Sequence, residues 1–557
     1  MALQVPQQHS ANLFKEGYKH FVGIEESVIR NINAINELCQ ILSTSYGPNG
    51  RNKLIVNHLL KHFVTSDAST ILKELEVNHP AAKLIMDCAS AQQQETGDLT
   101  NYVCLLSAQS LNFSIKLLHW GISPSIISES FIQCKKQLLT HLQASILPQD
   151  SMNTTKCVRT AISAKQYGLE DLLTPLVVNA IQMTIGATLE KDSVLKPSTQ
   201  FDMDNIRVVK VLGGGLSDST VIHGMCFHKE PLSVLQSTTG TSNMIAVYTC
   251  PLDISQTETK GTILLNNASE LLDYSKLEED KLFKELKAIK DSGVHCIISG
   301  GTISELAVYM CNQLQLICIS IPSKFELRRV SRCTNAVPLT RVGVPTKEEM
   351  GHGTVECLEI GNNRVTYVKT NSSTSTSGRV ATILLRGSTQ PQLDDIERAV
   401  LDGVLVYRSL CIDDRVVGGA GCTELQLAKL LRKSATRGQG QEAVYSMVAD
   451  ALEMIPRLIA ENSGLDGMKM TSELAKSHSV DSGDASMAVC YQGVDVESDK
   501  GLNVLKSGIV DSYYCKEWAI KFGMDVCATV LKIDQIVMSQ PSGGPKPPKQ
   551  QGHWDQD

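Results

Sequence analysis

Along residues 24–42 the apolar side chains Val28, Ile32, Ile35, Leu38 and Ile41 return every three or four positions, which predicts a helix with one buried face. The next apolar stretch, KLIVNHLLKHFVT, predicts a hairpin of two short strands ending at Ser66 and Asp67. Helical spacing resumes over 69–76, 80–94, 100–120 and 124–147, so the first ~150 residues read as mostly helical with one strand pair. Near 201–219 the texture changes to strand and glycine in NIRVVKVLGGGLSDS, and strands then alternate with helices. VHCIISGG, TISELAVYMCNQLQ and LICISI follow one another as strand, helix, strand, the unit of an α/β layer. NSSTSTSGR, residues 371–379, lies between strand-like runs and predicts a solvated hairpin loop. Helical patterns return after Gln390 and run to about Ala528, and the Pro/Gly/Lys-rich QPSGGPKPPKQQGHWDQD predicts a disordered tail.

Helical ends therefore flank an α/β middle, with no internal repeat. If the ends pack together, the middle is an insertion joined by two crossings of the chain, an arrangement that can act as a hinge. A length of 557 residues predicts two to four domains. The 52 basic against 59 acidic side chains, net −7, offer no electrostatic footprint for nucleic acid or an acidic membrane surface. The 17 cysteines are scattered without a Cys-x-x-Cys pair, which predicts reduced thiols in the cytoplasm. The opening MALQVPQQHSANLFKEGYKHF lacks an apolar signal core and no run of 18 apolar residues occurs, so a soluble protein is expected. The 13 histidines show no metal spacing such as H-E-x-x-H.

Candidate chemistry begins at TSYGPNG, residues 44–50. Gly47, Pro48, Asn49 and Gly50 are the residue types of a β-turn, but they also suit a wall of bare backbone facing an anion. Asp67 precedes a helix in VTSDASTILKEL, Asp98 precedes another in TGDLTNYVCLL, and Asp402 lies in the helix of ILLRGSTQPQLDDIERAVLDG. Singly, Asp67 and Asp98 read as N-caps, and Asp402, near Asp394, Asp395, Glu397 and Arg398, reads as a solvated-face charge. Together they suit phosphoryl transfer, which needs oxygen ligands for Mg²⁺, backbone donors for phosphates and a carboxylate that orients water. Helix N-termini at Asp67 and Asp98 would direct N–H groups at phosphate oxygens. There is no G-x-x-x-x-G-K-[ST], and VLGGGLSDS lacks the spacing and strand–helix frame of a dinucleotide fingerprint, so neither familiar nucleotide fold applies.

YGPNG, VTSDASTILKEL, TGDLT, RTAISAKQYG, ILLRGST with DDIERAVLDG, GGAGCTELQLAK, LIAENSG and GIVDSYYCKEWAIK resemble, in order and spacing, a group II chaperonin. NHPAAKLI, CPLDISQTETKG, SKFELRR and GGPKPP extend the likeness to the eukaryotic cytosolic members, over essentially the whole chain. The resemblance implies a multidomain α and α/β chaperonin fold. Its parts would be an equatorial ATP-binding domain of 1–148 and 404–535, a hinge-like intermediate domain of 149–215 and 372–403, an apical client-binding and lid domain of 216–371, and a disordered tail over 540–557. It also implies an ATP-dependent chaperone subunit that works in a double ring with other chaperonin subunits and binds unfolded client proteins. Carried over by position, Gly47 and Pro48 would touch the phosphates of ATP, Asp98 would hold Mg²⁺ with Thr100 beside the phosphates, and Asp67 and Asp402 would position the attacking water. Lys165 resembles the lysine that senses the γ-phosphate, Gly419 and Gly421 match a second glycine loop, and Asp511 matches the acid at the ribose. The family's lid would fall near 253–280 and its client-binding face around 323–332, although FELRRV is also an ordinary amphipathic helix.

Two motifs depart from the family pattern. Gly-Asp-Gly-Thr becomes Gly97-Asp98-Leu99-Thr100, and overfilling a tight site costs ~1–3 kcal/mol, about ten- to a hundredfold in affinity. A three-glycine run becomes Gly419-Ala420-Gly421, preceded by Gly418 where proline is common. Hydrolysis is expected, slowed by Leu99. The alternative is a chaperonin-like scaffold or ring subunit that binds partners and hydrolyses little.

Overall fold

The computed structural model describes residues 27–57, 59–148, 154–185, 201–237, 243–253, 267–361, 363–369, 380–435, 442–479, 490–498 and 500–536. The expected loop at 371–379, the tail at 540–557 and residues 254–266 of the expected lid lie outside these. The first helix is Ile29–Ser43, and its buried face is Val28, Ile32, Ile35, Cys39 and Leu42, an unbroken four-three alternation. Ile41, expected on that face, falls one position off the alternation and is 44% exposed. Lys53–Val56 pairs antiparallel with His62–Thr65, and Asp67 then caps the helix Ala68–Glu74 by accepting from the Thr70 N–H at 3.0 Å. Prolines at the first turn open Pro80–Glu95 and Pro124–Ala144, on either side of Thr100–His119.

These helices bury their apolar faces against three from the other end of the chain, Cys422–Ala435, Glu442–Asn462 and Tyr513–Leu531. Ile32, Leu105, Phe131, Val448, Leu452 and Ile520 share that one core. The middle of the chain is built on an eight-stranded mixed sheet. Its spatial order is Ile206–Leu212, Ala381–Gly387, Thr220–Phe227, Asn363–Lys369, Gly351–Ile360, Asn243–Tyr248, Val294–Ser299, Ile317–Ser320. The last two are parallel and joined by helix Glu305–Gln313, as the sequence pattern predicts, with Ser304 capping the helix through Ala307 N–H. A second core joins helices Thr154–Ser163, Glu170–Ile185 and Gln390–Ile412 to the near edge of the sheet.

The two crossings run side by side. Leu147 N–H donates to Val416 O at 2.9 Å, and Leu147, Cys157, Ala161, Leu410, Val416 and Val510 form a small core between the larger two. Helix Gln390–Ile412 runs unbroken through the expected boundary at 403/404, and Val404, Tyr407 and Cys411 beyond it still pack in the second core. Gly403 allows this close approach, since a Cβ there would lie 3.3 Å from Ile162.

Candidate active site

A cleft opens where these cores meet. Its first wall is the loop after Ile29–Ser43, and its two glycines have separate reasons. Gly47 has φ +90°, a left-handed conformation that suits glycine, whereas a Cβ on Gly50 would lie 2.4 Å from Ser45 O. Gly50 N–H closes the turn on Gly47 O at 3.0 Å, so the β-turn reading also holds. The Asn462 amide donates to Ser43 O at 2.9 Å and Tyr46 O at 2.8 Å and fixes this loop against the C-terminal helices.

The second wall is charged. Lys165 Nζ lies 2.8 Å from Asp67 Oδ1 and also contacts Asp402 Oδ2, so one ammonium joins two carboxylates from distant parts of the chain. The other oxygen of Asp67 accepts from Thr70 N–H at 3.0 Å and Thr70 Oγ1 at 2.7 Å, and that of Asp402 accepts from Gln93 Nε2 at 3.0 Å. Asp402 is 2% exposed, which corrects the reading of it as a solvated-face charge: its helix turns that side inward, onto Lys165. Burial pushes the Asp402 carboxyl up to about 7, with Lys165 opposing and Asp67 adding to the shift. Burial acts the same way on Asp67, but there the Lys165 ammonium and the Thr70 bonds outweigh it and hold the carboxyl at about 2. Lys165 is itself held protonated: burial works against its charge, and Asp402 and Asp67 overcome it.

The third wall is the start of Thr100–His119. Leu99, not Asp98, is the N-cap, because the Asp98 carboxylate bonds the adjacent Leu99 N–H at 2.7 Å instead of reaching into the first turn. Thr100, Asn101 and Tyr102 border the cleft, and as first-turn residues their N–H groups have no intrahelical partners. Leu99 has φ +61°, a strained conformation worth roughly 1–2 kcal/mol for a residue with a Cβ. Gly97 is a packing requirement, since a Cβ there would lie 2.3 Å from Leu405 Cβ. Fully buried Gln92 holds the loop from behind, donating to Asp98 O at 3.0 Å and Cys515 O at 3.2 Å.

The far end is closed by the turn 419–421 and by Asp511. Ala420 borders the cleft, with φ +52°. Gly419 and Gly421 stand behind it, where side chains would meet Asp511 Oδ1 at 3.2 Å and Pro456 Cβ at 2.5 Å. Asp511 Oδ2 lies 2.9 Å from Lys516 Nζ, which also reaches Glu424 Oε1 at 2.5 Å. Lys516 and Glu424 are both buried, a second ion triad that mirrors the first.

Gly47, Pro48, Asp67, Asp98, Thr100, Lys165 and Asp511 thus line one cleft, and Asp402 reaches it through Lys165. Sequence reasoning missed Gln92, Gln93, Asn462, Glu424 and Lys516. The glutamines lie in AQQQE and read as a polar face. Asn462, Glu424 and Lys516 belong to recognised motifs, LIAENSG, GGAGCTELQLAK and GIVDSYYCKEWAIK, whose polar members are the signal that was available.

Shared termini, an inserted α/β unit and a carboxylate-rich cleft at their junction define a chaperonin, and residues 38–541 match the TCP-1/cpn60 chaperonin family. The chain belongs to that family and is a chaperonin subunit, of a class that uses nucleotide. It is similar to the probable T-complex protein 1 subunit theta of Schizosaccharomyces pombe, 42% identical over 569 residues. It is likewise similar to T-complex protein 1 subunit theta of Homo sapiens, 41% over 567 residues, and of Saccharomyces cerevisiae, 40% over 573. Each alignment covers 100% of both chains. Among the described residues no helix is long and apolar enough to cross a membrane.

Proposed function

We propose that this subunit hydrolyses Mg-ATP in the cleft and uses the reaction to move its inserted unit. The observation that carries this reading is Lys165 gripping both Asp67 and Asp402 beside the bare helix start at Thr100. Asp98 fits a divalent cation. It is half-buried on the cleft wall, no salt bridge pairs it among the described residues, and desolvation together with nearby Asp511 raises its pKa, a strain that a bound cation relieves. Mg²⁺ there would neutralise charge on the phosphates. Gly47, Pro48 and the first-turn N–H groups hold the phosphates, Asp511 accepts from the ribose, and Lys165 presents its charge to the terminal phosphate. Asp67 and Asp402 orient the attacking water.

Asp67 and Asp98 belong to the core shared by both chain ends, the equatorial domain on this reading. Asp402 and Lys165 come with the second core, the hinge-like intermediate domain. Rotation of one core on the other therefore completes or dismantles the site, coupling hydrolysis to closure. The sheet and helix Lys324–Thr334 form the apical, client-binding domain. Relatives named as subunits support a place beside other chaperonin subunits. On this reading that place is in a double ring that acts on unfolded proteins in the cytoplasm. Leu99 on the cleft wall favours a second reading, a ring subunit or scaffold that hydrolyses little. Single-turnover ATP hydrolysis by the purified chain, with Asp402→Asn alongside, separates the two: turnover that needs Asp402 supports the first, and none in either chain supports the second.

Two expected outcomes bear on this site. Because Asp402 titrates at about 7, the hydrolysis rate is expected to rise about tenfold between pH 6 and pH 8, following the deprotonated fraction. A pH profile of single-turnover rates that is flat across that interval would contradict the role given to Asp402. Leu99→Gly is expected to tighten ATP binding about tenfold or more by clearing the cleft wall, measured by calorimetric titration. Its melting temperature should stay close to wild type, because relief of roughly 1–2 kcal/mol of backbone strain offsets lost packing and added unfolded-state freedom. Unchanged affinity would show that Leu99 does not crowd the nucleotide.

A further inference from the structure

Asp395 lies one heptad before Asp402 on helix Gln390–Ile412, so the two carboxylates share a face about 10 Å apart along the axis. It is buried but does not line the cleft. Its Oδ1 accepts from Thr65 Oγ1 at 2.8 Å and from Arg398 Nη1 at 3.2 Å, and its Oδ2 accepts from Gln166 Nε2 at 2.5 Å. The Thr65 hydroxyl, having donated its proton to Asp395, accepts from the Asp67 N–H at 3.0 Å. Gln166 is the neighbour of Lys165. The three segments that carry Asp67, Lys165 and Asp402 are therefore tied twice, once at the ion triad and once at Asp395.

We infer that Asp395 is a positioning residue for hydrolysis, holding Asp67 through Thr65 and Lys165 through Gln166 in register with Asp402. The inference rests on the reading of the cleft as an ATPase site. Its logic is geometric. The triad alone is one cation between two anions, free to pivot about the ammonium. A second attachment one heptad away removes the pivot, and misplacement of a reacting group by about 1 Å can cost 10²-fold in rate. Asn at 395 keeps the shape but has one acceptor oxygen where Asp has two, so its NH₂ must oppose either the Thr65 or the Gln166 donor.

The test uses the full chain with Mg-ATP, measuring single-turnover kcat and ATP Kd for wild type, Asp395→Asn, Gln166→Met, the double variant and Asp402→Asn. Asp395→Asn is expected to lose roughly 10–100-fold in kcat with Kd within about threefold, since Asp395 does not reach the nucleotide. Gln166→Met should lose kcat in the same sense, and the double variant should be no slower than Asp395→Asn alone, because both remove the same tie. A kcat within threefold of wild type in Asp395→Asn, a loss expressed in Kd instead, or additive losses in the double variant would each overturn the inference. Should Asp395→Asn not fold, Gln166→Met decides by itself, wild-type kcat counting against the inference and a loss of kcat at constant Kd supporting it. Asp402→Asn tells the two failures apart: if it turns over like wild type the ATPase reading falls, and if it alone is inactive only the role of Asp395 falls.

Discussion

Asp402→Asn is expected to lower single-turnover hydrolysis by about 10²–10⁴ while leaving ATP affinity within a few fold. The carboxylate reaches the cleft only through Lys165, so it contributes little to ground-state binding. Asparagine keeps the shape and the acceptor for one neighbour, and Lys165 retains Asp67 as its counter-ion, so no buried charge is orphaned. Stability moves in the opposite direction. Asp402 has a folded pKa of about 7, above the ordinary carboxylate value, so its contribution is full below the unfolded pKa of about 4 and is lost as pH rises through 7. Removing the ionisable group should therefore leave the melting temperature unchanged or raise it at pH 8, relative to wild type at the same pH. Lost hydrolysis together with retained or improved stability is the signature of a group kept for chemistry. A variant that hydrolyses ATP at the wild-type rate would remove the reaction from this cleft.

How much of this was legible in the sequence depended on whether a residue's partner was local. Asp67 declared itself, because a cap needs only the helix that follows it, and the hairpin and the strand–helix–strand unit are equally local patterns. Asp98 lines the cleft but does not cap its helix: its carboxylate turns to the adjacent N–H, and the left-handed Leu99 takes the cap position. Asp402 could not be told from Asp394 or Glu397 by spacing, since what sets it apart is a lysine far back in the chain that only the fold brings near. The likeness to chaperonins supplied Lys165, and no periodicity did. Ile41 and Leu42 show the limit of pattern reading even within one helix, where a single position decides between core and solvent.

Lys516 was the least legible of the buried charges around the cleft, since its partners Glu424 and Asp511 are brought to it by the fold, and its removal carries the second large expected effect. Lys516→Met leaves the buried carboxylate of Glu424 and that of Asp511 without their shared cation, and breaking a buried pair in this way costs about 3–5 kcal/mol. The ammonium is held protonated because Asp511 and Glu424 outweigh the burial that opposes its charge, so methionine matches the volume but not the field. The loss is local to the elements that carry the triad, and amide exchange reads it there. Amide exchange in helix Tyr513–Leu531 and in the turn 419–421 is expected to accelerate, with exchange in the eight-stranded sheet unchanged. Adding Glu424→Gln and Asp511→Asn to Lys516→Met should restore most of the protection, because an uncharged set has no orphaned carboxylate. Restoration of protection without restoration of ATP binding would separate the two duties proposed for Asp511, which answers Lys516 with Oδ2 and lines the cleft as the acid that the resemblance assigns to the ribose. If Lys516→Met leaves exchange at the wild-type rate, the triad carries no stability and the far wall of the cleft is held by packing alone.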